Sequence, residues 1–302
     1  MFQHPQCFST QPKAYQPKSK NNKGLKGFFH QLCAASALFF GSVALSTAIA
    51  VPTVESGTLT VASDLTYPPY VYFEDKVPAG FDADFTRMLA EELGLEINII
   101  DTRFSDLVLG LRANRFDVIA SALYITPERA ELIDYVPYLK TGSSLLTLKD
   151  SELNPKGPED LCGLEVSNIK AASWRPKVLA VSDAQCVPAG KGAVDMLEYP
   201  TSPEAFLALR SGAVDVMMED AAVAHQLLSN NPDAIKITST ELIYPIVIGL
   251  GVNKNNTELR AAIEKALANT IENGKYQELL DKYGLGAPTD EEIAESFSSS
   301  GS

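Results

Sequence analysis

From Thr58 onward the chain alternates between short apolar β-prone segments and segments with helical spacing. Thr58–Ser63, Ile97–Ile100 and Phe116–Ser121 have strand composition, and between the first two lies a helical pattern of apolar residues over residues 81–93. Gly94 follows as the residue expected to end that helix. Strands that alternate with helices in this way predict βα units and a largely parallel sheet, so the fold class is α/β.

Two stretches of the sequence share one pattern. Leu111–Val118 and Leu209–Val216 each read as a helix end, a tight turn and a strand that begins after Asp. We interpret this as two lobes built the same way. The apolar segments Tyr138–Leu148 and Tyr244–Val252 are predicted to carry the chain from one lobe to the other and back, a double crossover that suits a hinge. The predicted divisions are residues 51–142 and 246–288 for the first lobe, 143–245 for the second, and 289–302 for a polar, disordered tail.

The first fifty residues read as a leader. They hold five Lys and no Asp or Glu, and the uncharged segment from Leu32 to Ala50 ends in Ala48-Ile49-Ala50. A basic, then apolar, then small-x-small order predicts a secretory signal peptide over residues 1–50 that is cleaved after Ala50, and so a periplasmic or extracellular protein. A retained membrane anchor is the alternative, because the length permits it.

The charge balance excludes one class of partner. Without the five leader lysines, 20 of the 25 basic residues remain against 38 acidic ones, a formal charge of −18. Such a surface repels phosphate backbones, so we expect no nucleic-acid partner.

After the leader only two cysteines remain, Cys162 and Cys186. In an oxidising compartment an even pair predicts one disulfide. Two Cys with His225, the one histidine outside the leader, do not make a structural zinc site. We expect neither a metal nor a cofactor.

Ligands of open parallel sheets bind beyond the carboxyl ends of the strands. The first strand ends in Ser63-Asp64, the strand after Asp117 ends in Ser121-Ala122, and the corresponding strand of the second lobe ends in Glu219-Asp220. These ends are therefore predicted to face a cleft shared by both lobes.

The segment Thr126-Pro127-Glu128-Arg129 predicts an anion site. Thr126 is a good N-cap, Pro127 suits the first helical position, and Arg129 then lies in the first turn. A cation is disfavoured at that end of a helix dipole unless an anion is near, and a carboxylate suits the guanidinium. The alternative is a surface ion pair of Arg129 with Glu128 or Asp134.

Several motifs together resemble the family-3 extracellular solute-binding proteins of ABC transporters, in particular the polar amino-acid-binding group. The matching segments are Asp64-Leu65-Thr66-Tyr67-Pro68-Pro69-Tyr70, Gly80-Phe81-Asp82-Ala83-Asp84, Phe116–Ser121, Thr126–Arg129, Asp160–Gly163 and Asn273–Leu285. The similarity covers about residues 57 to 286. It implies a two-lobed, type II-like periplasmic binding protein fold, in which each lobe is a parallel-rich sheet flanked by helices.

The resemblance also implies roles for individual residues. Arg129 matches the residue that binds the ligand α-carboxylate, and Asp220 matches the second-lobe acid that receives the α-ammonium. Tyr67 and Phe104 match aromatic positions that sandwich the ligand. Asp64 matches an acid that meets the cationic end of basic ligands, although a turn-capping role is equally compatible with its position.

Two departures from the family pattern affect the same pocket. Tyr124 stands where the family has a small Ser or Thr, and Ala171-Ala172-Ser173 stands where it has a Gly-Thr/Ser-Thr turn. Ser173 retains one hydroxyl, and Trp174 follows as either a cleft wall or part of the lobe core. These changes predict an intact amino-carboxylate clamp with a remodelled side-chain pocket. The ligand contacts expected from the sequence are Asp64, Tyr67, Phe104, Ser121, Ala122, Tyr124, Arg129, Ser173 and Asp220.

The expected function is that of an exported, monomeric receptor that captures a small amino acid or amino-acid-like ligand and delivers it to an ABC permease. The sequence contains no Gly-x-Ser-x-Gly, Walker or His-Glu-x-x-His motif. A periplasmic cyclohexadienyl dehydratase, which resembles this fold, is the enzyme alternative. Glu219 and Asp220 are its candidate acids.

Overall fold

The computed structural model describes residues 51–298, so the predicted leader lies outside the described residues. The strands in this range are β1 (Thr58–Ser63), β2 (Thr66–Tyr67), β3 (Val71–Glu74), β4 (Val77–Ala79), β5 (Glu96–Asp101), β6 (Val118–Ile119), β7 (Asp134–Leu148), β8 (Glu165–Ile169), β9 (Asp195–Tyr199), β10 (Val216–Asp220), β11 (Ile235–Ile237) and β12 (Ile243–Val252). The helices are α1 (Phe81–Leu93), α2 (Leu107–Arg112), α3 (Pro127–Ala130), α4 (Trp174–Val181), α5 (Ser202–Ser211), α6 (Ala221–Asn230), α7 (Thr257–Glu272), α8 (Lys275–Tyr283) and α9 (Asp290–Ser298).

The main sheet joins both lobes. Its strand order is β5-β1-β6-β12-β7-β10-β8-β9, with β11 also paired to β7, while β2, β3 and β4 form a separate small sheet. β1 is parallel to β5 and β6, and β8 is parallel to β9 and β10. Between these two parallel groups run β7 and β12, which are antiparallel to each other. The fold is therefore α/β with two lobes, as the sequence predicts.

The two predicted crossing segments are continuous strands. β7 pairs with β12 along its first half and with β10 and β11 along its second half, so one strand belongs to both lobes. β12 returns beside it and ends against β6. The residue numbers at which one lobe passes into the other stay a prediction.

The repeated sequence pattern corresponds to a repeated structure. In the first lobe the backbone N–H of Thr60 donates to the Asp117 carboxylate (2.8 Å), and the N–H of Asp117 donates to the Thr60 carbonyl (2.9 Å). In the second lobe Glu165 and Asp215 make the same two hydrogen bonds, at 3.0 and 2.9 Å. An Asp before a strand thus joins it to the neighbouring parallel strand in each lobe.

Helix α1 confirms the helix predicted over residues 81–93 and shows its physical basis. Its apolar residues Phe81, Phe85 and Leu89 are completely buried, and Gly94 ends the helix in the left-handed region at φ 66°. Glycine adopts this conformation without steric cost. None of the helices in residues 51–298 combines the length and apolar character needed to cross a bilayer.

Cys162 and Cys186 form the predicted disulfide. Cys162 follows a single 3₁₀ turn over Pro158–Leu161, and Cys186 ends the π-helical turn Ser182–Cys186 that continues α4. The bond therefore fixes the far end of α4, the helix whose first residues reach the junction of the lobes.

The C-terminal segment corrects one expectation. The sequence predicts disorder over residues 289–302, but Asp290–Ser298 forms helix α9. Ile293 packs against a buried cluster of the first lobe, and the Phe297 ring meets the edge of Tyr135 with the centroids 6.3 Å apart. These apolar contacts order a segment whose overall composition is polar.

Candidate functional site

A small cavity of about 20 Å³ lies at the junction of the lobes. Six of the nine residues expected at the ligand site line it, and three other residues complete the wall. The lining is Tyr67, Phe104, Ala122, Tyr124, Arg129, Ile169, Ala172, Ser173 and Trp174. This volume accommodates about one water molecule, so an amino-acid-sized ligand requires the surrounding side chains or the lobes to move.

Arg129 is positioned by the short helix α3. The Thr126 side chain accepts the Arg129 backbone N–H (3.3 Å), and Pro127 occupies the first helical position, as predicted. The guanidinium donates to the Tyr124 carbonyl (3.0 Å) and, across to the second lobe, to the Ala171 carbonyl (2.9 Å). It also lies 5.5 Å from the centroid of the Phe104 ring.

The charge of Arg129 lacks an anionic partner in the described range. No carboxylate of residues 51–298 forms an ion pair with it, and Asp134, a partner considered from the sequence, instead pairs with Arg260 (3.5 Å). Burial lowers the pKa of the Arg129 guanidinium, which nevertheless stays cationic at neutral pH. Its two protein acceptors are neutral carbonyls, and Glu128 raises its pKa without forming an ion pair, so a ligand carboxylate would be the first anion to accept its hydrogen bonds.

Asp220 lies at the end of β10 and is fully buried. Its Oδ1 accepts the backbone N–H groups of Ala222 (2.9 Å) and Val223 (3.4 Å), so it caps helix α6. Its Oδ2 accepts the hydroxyls of Tyr124 (2.6 Å) and Thr141 (2.8 Å). Burial raises the pKa of Asp220, and the hydroxyl hydrogen bonds act in the opposite direction.

The neighbouring acid, Glu219, is equally buried. It accepts the Tyr67 hydroxyl, the Ser202 hydroxyl (2.6 Å) and the Asp220 backbone N–H (2.8 Å). Burial raises the pKa of the Glu219 carboxyl to about 7. Because Tyr67 belongs to the first lobe and Glu219 to the second, this bond, like that of Tyr124 with Asp220, joins the lobes.

Asp64 and Ser121, both expected at the ligand site, lie outside the lining of the small cavity. The Asp64 carboxylate accepts the Thr66 hydroxyl (2.7 Å) and the Phe104 N–H (3.0 Å), and it pairs with Arg103 (2.9 Å). The Ser121 hydroxyl accepts the Asp64 N–H (3.0 Å). In this structure Asp64 caps its turn and fixes the segment that carries Phe104.

The second-lobe turn places Ser173 and Trp174 against the cavity. Ala171 has φ 66°, a left-handed conformation in which a non-glycine residue is uncommon. In that conformation its carbonyl accepts the Arg129 guanidinium. Trp174 is only 4% exposed, and its ring meets the edge of Tyr124 with the centroids 5.7 Å apart.

The sequence analysis left Trp174 open between a cleft wall and the lobe core, and it did not place Thr141 at the site. Trp174 directly follows the serine that was identified there, and this position was the available signal. Thr141 lies in the crossing strand β7 and reaches Asp220 from there. Nothing local in the sequence marks that contact, because it depends on the register between β7 and β10.

A larger cleft of about 1100 Å³ shares Arg129, Ala172 and Ser173 with the small cavity. Its walls also include residues of α4, Tyr244–Val247 of β12, and Glu292, Glu295 and Ser296 of α9. The Lys177 ammonium lies 5.1 Å from the centroid of the Tyr244 ring in this wall. The site is therefore approached through an amphipathic cleft beside the hinge strand.

Comparisons with known proteins agree with this architecture. Residues 59–286 match the sequence profile of the bacterial extracellular solute-binding proteins, family 3. The chain is 28% identical over 231 residues to the L-cystine-binding protein TcyJ of Escherichia coli (strain K12), covering 76% of this chain and 83% of that protein.

Solved structures give the same result. An ancestral arginine-binding protein bound to arginine superimposes with a TM-score of 0.69 at 29% identity, covering 75% of this chain and 98% of that one. The ancestral amino acid-binding protein AncCDT-1, a precursor of cyclohexadienyl dehydratase, superimposes with a TM-score of 0.64 at 26% identity. This match covers 75% of this chain and 95% of the AncCDT-1 chain.

Proposed function

We propose that this chain, which belongs to the bacterial extracellular solute-binding proteins of family 3, captures a small amino acid or amino-acid-like carboxylate between its two lobes. The observation that carries the proposal is the Arg129 guanidinium at the lobe junction, which is bound to two neutral carbonyls and to no carboxylate of residues 51–298. Similarity to proteins named for binding cystine and arginine supports the ligand class.

Closure of the lobes is the proposed working step. Arg129 holds the ligand carboxylate from the first lobe, and the Ala171–Trp174 turn reaches the same cavity from the second. A ligand that contacts both lobes stabilises the closed form, because it has differential affinity for the two states. We further propose that the protein is an exported monomer, and that its closed form docks on an ABC permease and releases the ligand there.

The dehydratase alternative requires an acid that can reach a substrate. Glu219 has a pKa of about 7, which suits a general acid. Its carboxyl is instead bound by Tyr67, Ser202 and the Asp220 amide, and it is absent from the described lining of the cavity. Binding without catalysis is therefore the function we propose.

A thermal-shift screen tests the binding proposal. Residues 51–302, refolded to remove bound ligand, are screened against amino acids, opines, organic acids and prephenate. A ligand at 1,000 times its Kd adds about 4.1 kcal/mol, which raises Tm by about 8–16 °C for a protein of this size. Arg129→Ala should abolish the shift and keep a cooperative unfolding transition.

Arg112→Ala is the matched control, because Arg112 is an exposed arginine of the same lobe. It should keep the full shift. Wild-type affinity in Arg129→Ala would refute the assignment of the site. Loss of prephenate absorbance without any amino-acid shift would support the dehydratase instead.

A further inference from the structure

The hydrogen bonds of Asp220 occupy all of its acceptor positions. An ionised carboxylate has about four lone-pair sites. Asp220 accepts four hydrogen bonds from the protein: two at Oδ1 from the amides of Ala222 and Val223, and two at Oδ2 from the hydroxyls of Tyr124 and Thr141. A ligand ammonium that arrived at this acid would have to displace one of them.

With the lobes closed, contacts on several sides hold Tyr124 in place. It is 5% exposed, and its ring packs against Trp174. Its carbonyl is held by the Arg129 guanidinium (3.0 Å), and its hydroxyl lies within hydrogen-bond distance of both the Gly142 carbonyl (3.2 Å) and Asp220 (2.6 Å). With the lobes closed, the phenol therefore fills the corner between them and binds Asp220 there.

Trp174, which packs against Tyr124, carries a hydrogen-bond donor that residues 51–298 leave unused. Trp174 lines the cavity and is 4% exposed. Its buried indole Nε1–H has no hydrogen-bond partner among residues 51–298. A buried donor without an acceptor is unfavourable, and a ligand oxygen that accepts this hydrogen bond would remove that cost. An ammonium beside it would instead bring two donors together.

We propose that the ligand is a 2-hydroxy or 2-oxo carboxylate: its carboxylate binds Arg129, and its second oxygen accepts the hydrogen bond of the Trp174 indole. This inference rests on the proposed function, since it takes the cavity at the lobe junction as the ligand site. It narrows the ligand class of the proposed function, because the Tyr124 hydroxyl takes the position at Asp220 that a ligand ammonium would need. A site built to satisfy a buried polar group rejects analogues that leave the group unpaired.

Isothermal titration of matched ligands tests the proposal. Each set shares one side chain and differs at the second carbon: alanine, lactate and pyruvate; glutamate, 2-hydroxyglutarate and 2-oxoglutarate; phenylalanine, phenyllactate and phenylpyruvate. In the set that fits the pocket, a hydroxy or oxo acid should bind at least ten times more tightly than the amino acid. Trp174 is the single tryptophan of the sequence, so its fluorescence should change with the same saturation curve.

Two variants separate the roles of the aromatic residues. Trp174→Phe keeps an aromatic ring and removes the indole N–H donor. It should lower the affinity for the hydroxy or oxo acid at least tenfold and change the affinity for the amino acid less than threefold. Tyr124→Ser frees one acceptor position on Oδ2 of Asp220, so it should shift the binding preference at least tenfold toward the amino acid. Tyr72→Ser makes the same exchange outside the cavity lining and should leave the ratio unchanged.

The outcomes are distinct. An amino acid that binds the wild-type protein as tightly as its oxygen partners, or more tightly, overturns this inference and leaves the proposed function standing. If no carboxylate of the three sets or of the thermal-shift screen binds detectably, the proposed function itself is overturned. If Tyr124→Ser does not fold, the wild-type ratio and Trp174→Phe still decide the question.

Discussion

Two carboxyl groups of this protein, those of Asp82 and Glu219, are completely buried and have pKa values of about 7. Burial is the main cause in both cases, because it disfavours the charged form. Asp82 accepts the Tyr138 hydroxyl (2.6 Å) and the Ala122 backbone N–H (2.8 Å), so it holds the first-lobe wall of the cavity. Glu219 accepts the hydroxyl of Tyr67, which lines the cavity.

These values predict a pH dependence of stability. A carboxyl with a folded pKa of about 7 holds its proton in the folded state at pH values where the unfolded chain has lost it. The free energy of unfolding should therefore fall as pH rises from about 4.5 to 7, by on the order of 3 kcal/mol for Glu219. Glu219→Gln should remove this part of the slope, as measured by urea unfolding at pH 4.5, 5.5, 6.5 and 7.5.

Glu272→Gln is the control for that experiment, since Glu272 is exposed on α7. It should leave the slope as in the wild type. An unchanged slope in Glu219→Gln would mean that this carboxyl does not titrate between those pH values.

At the residue scale, the sequence predicts local geometry better than it predicts long-range partners. The Thr126-Pro127 start of α3 could be identified because capping involves neighbours in the chain. The bond between Tyr67 and Glu219 joins residues 152 positions apart. No sequence signal shows which tyrosine meets which acid, because that pairing is set by how the two lobes meet.

At the scale of elements, α9 shows how composition can mislead. The helix begins with a capping box: Thr289 accepts the Glu292 backbone N–H (3.2 Å), and the Glu292 carboxylate accepts the Thr289 N–H (2.7 Å). Its i,i+4 pair Ile293 and Phe297 faces the first lobe. Both signals are present in the sequence, but the serine-rich composition of residues 289–302 outweighed them.

Deletion of α9 should destabilise the protein. The helix also contributes an ion pair of Glu292 with Lys140 (3.2 Å) and a hydrogen bond from the Val247 N–H to the Ser296 hydroxyl (3.3 Å), so it supports both crossing strands. We expect a chain that ends at residue 289 to lose about 2–3 kcal/mol of stability, or about 4–12 °C in Tm. A chain that ends at residue 298 is the control, and equal Tm values for the two would contradict this role.

The repeated strand pattern of the two lobes could be predicted from the sequence, but the strand pairing that joins the lobes could not. The repeated Asp before a strand, Asp117 and Asp215, marks equivalent positions in both lobes, and the hydrogen bonds to Thr60 and Glu165 explain why the pattern recurs. The sequence cannot show that both lobes share a single sheet, because β7 pairs with different partners along its two halves.

At the scale of the whole molecule, hydrogen bonds between side chains of opposite lobes hold the closed arrangement. Tyr67 and Tyr124 of the first lobe donate to Glu219 and Asp220 of the second. A hydrogen bond to a neutral carboxyl contributes about 0.5–1.5 kcal/mol, and one to a carboxylate about 1.5–3 kcal/mol. Closure in this protein therefore does not depend on a ligand alone.

Replacing both phenols should open the lobes. We expect Tyr67→Phe/Tyr124→Phe to shift the equilibrium from closed to open by about 3 kcal/mol, roughly a hundredfold. Small-angle X-ray scattering of the protein without ligand should then show a larger radius of gyration than in the wild type. Tyr138→Phe, which removes a bond to Asp82 inside one lobe, should leave the radius unchanged. An unchanged radius in the double variant would show that other contacts keep the lobes closed.

The position of β12 has a consequence for how the protein is made. Among residues 51–298 it is the last strand, but it lies between β6 and β7 in the sheet. During translation β6 and β7 leave the ribosome long before β12. The strand edges that pair with β12 therefore stay unpaired until residue 252 has been synthesised. Non-local pairing of this kind is slow and leaves strand edges exposed. The lobe that carries Arg129 is consequently completed only after synthesis of its final segment, and we expect the unfinished chain to be prone to aggregation until then.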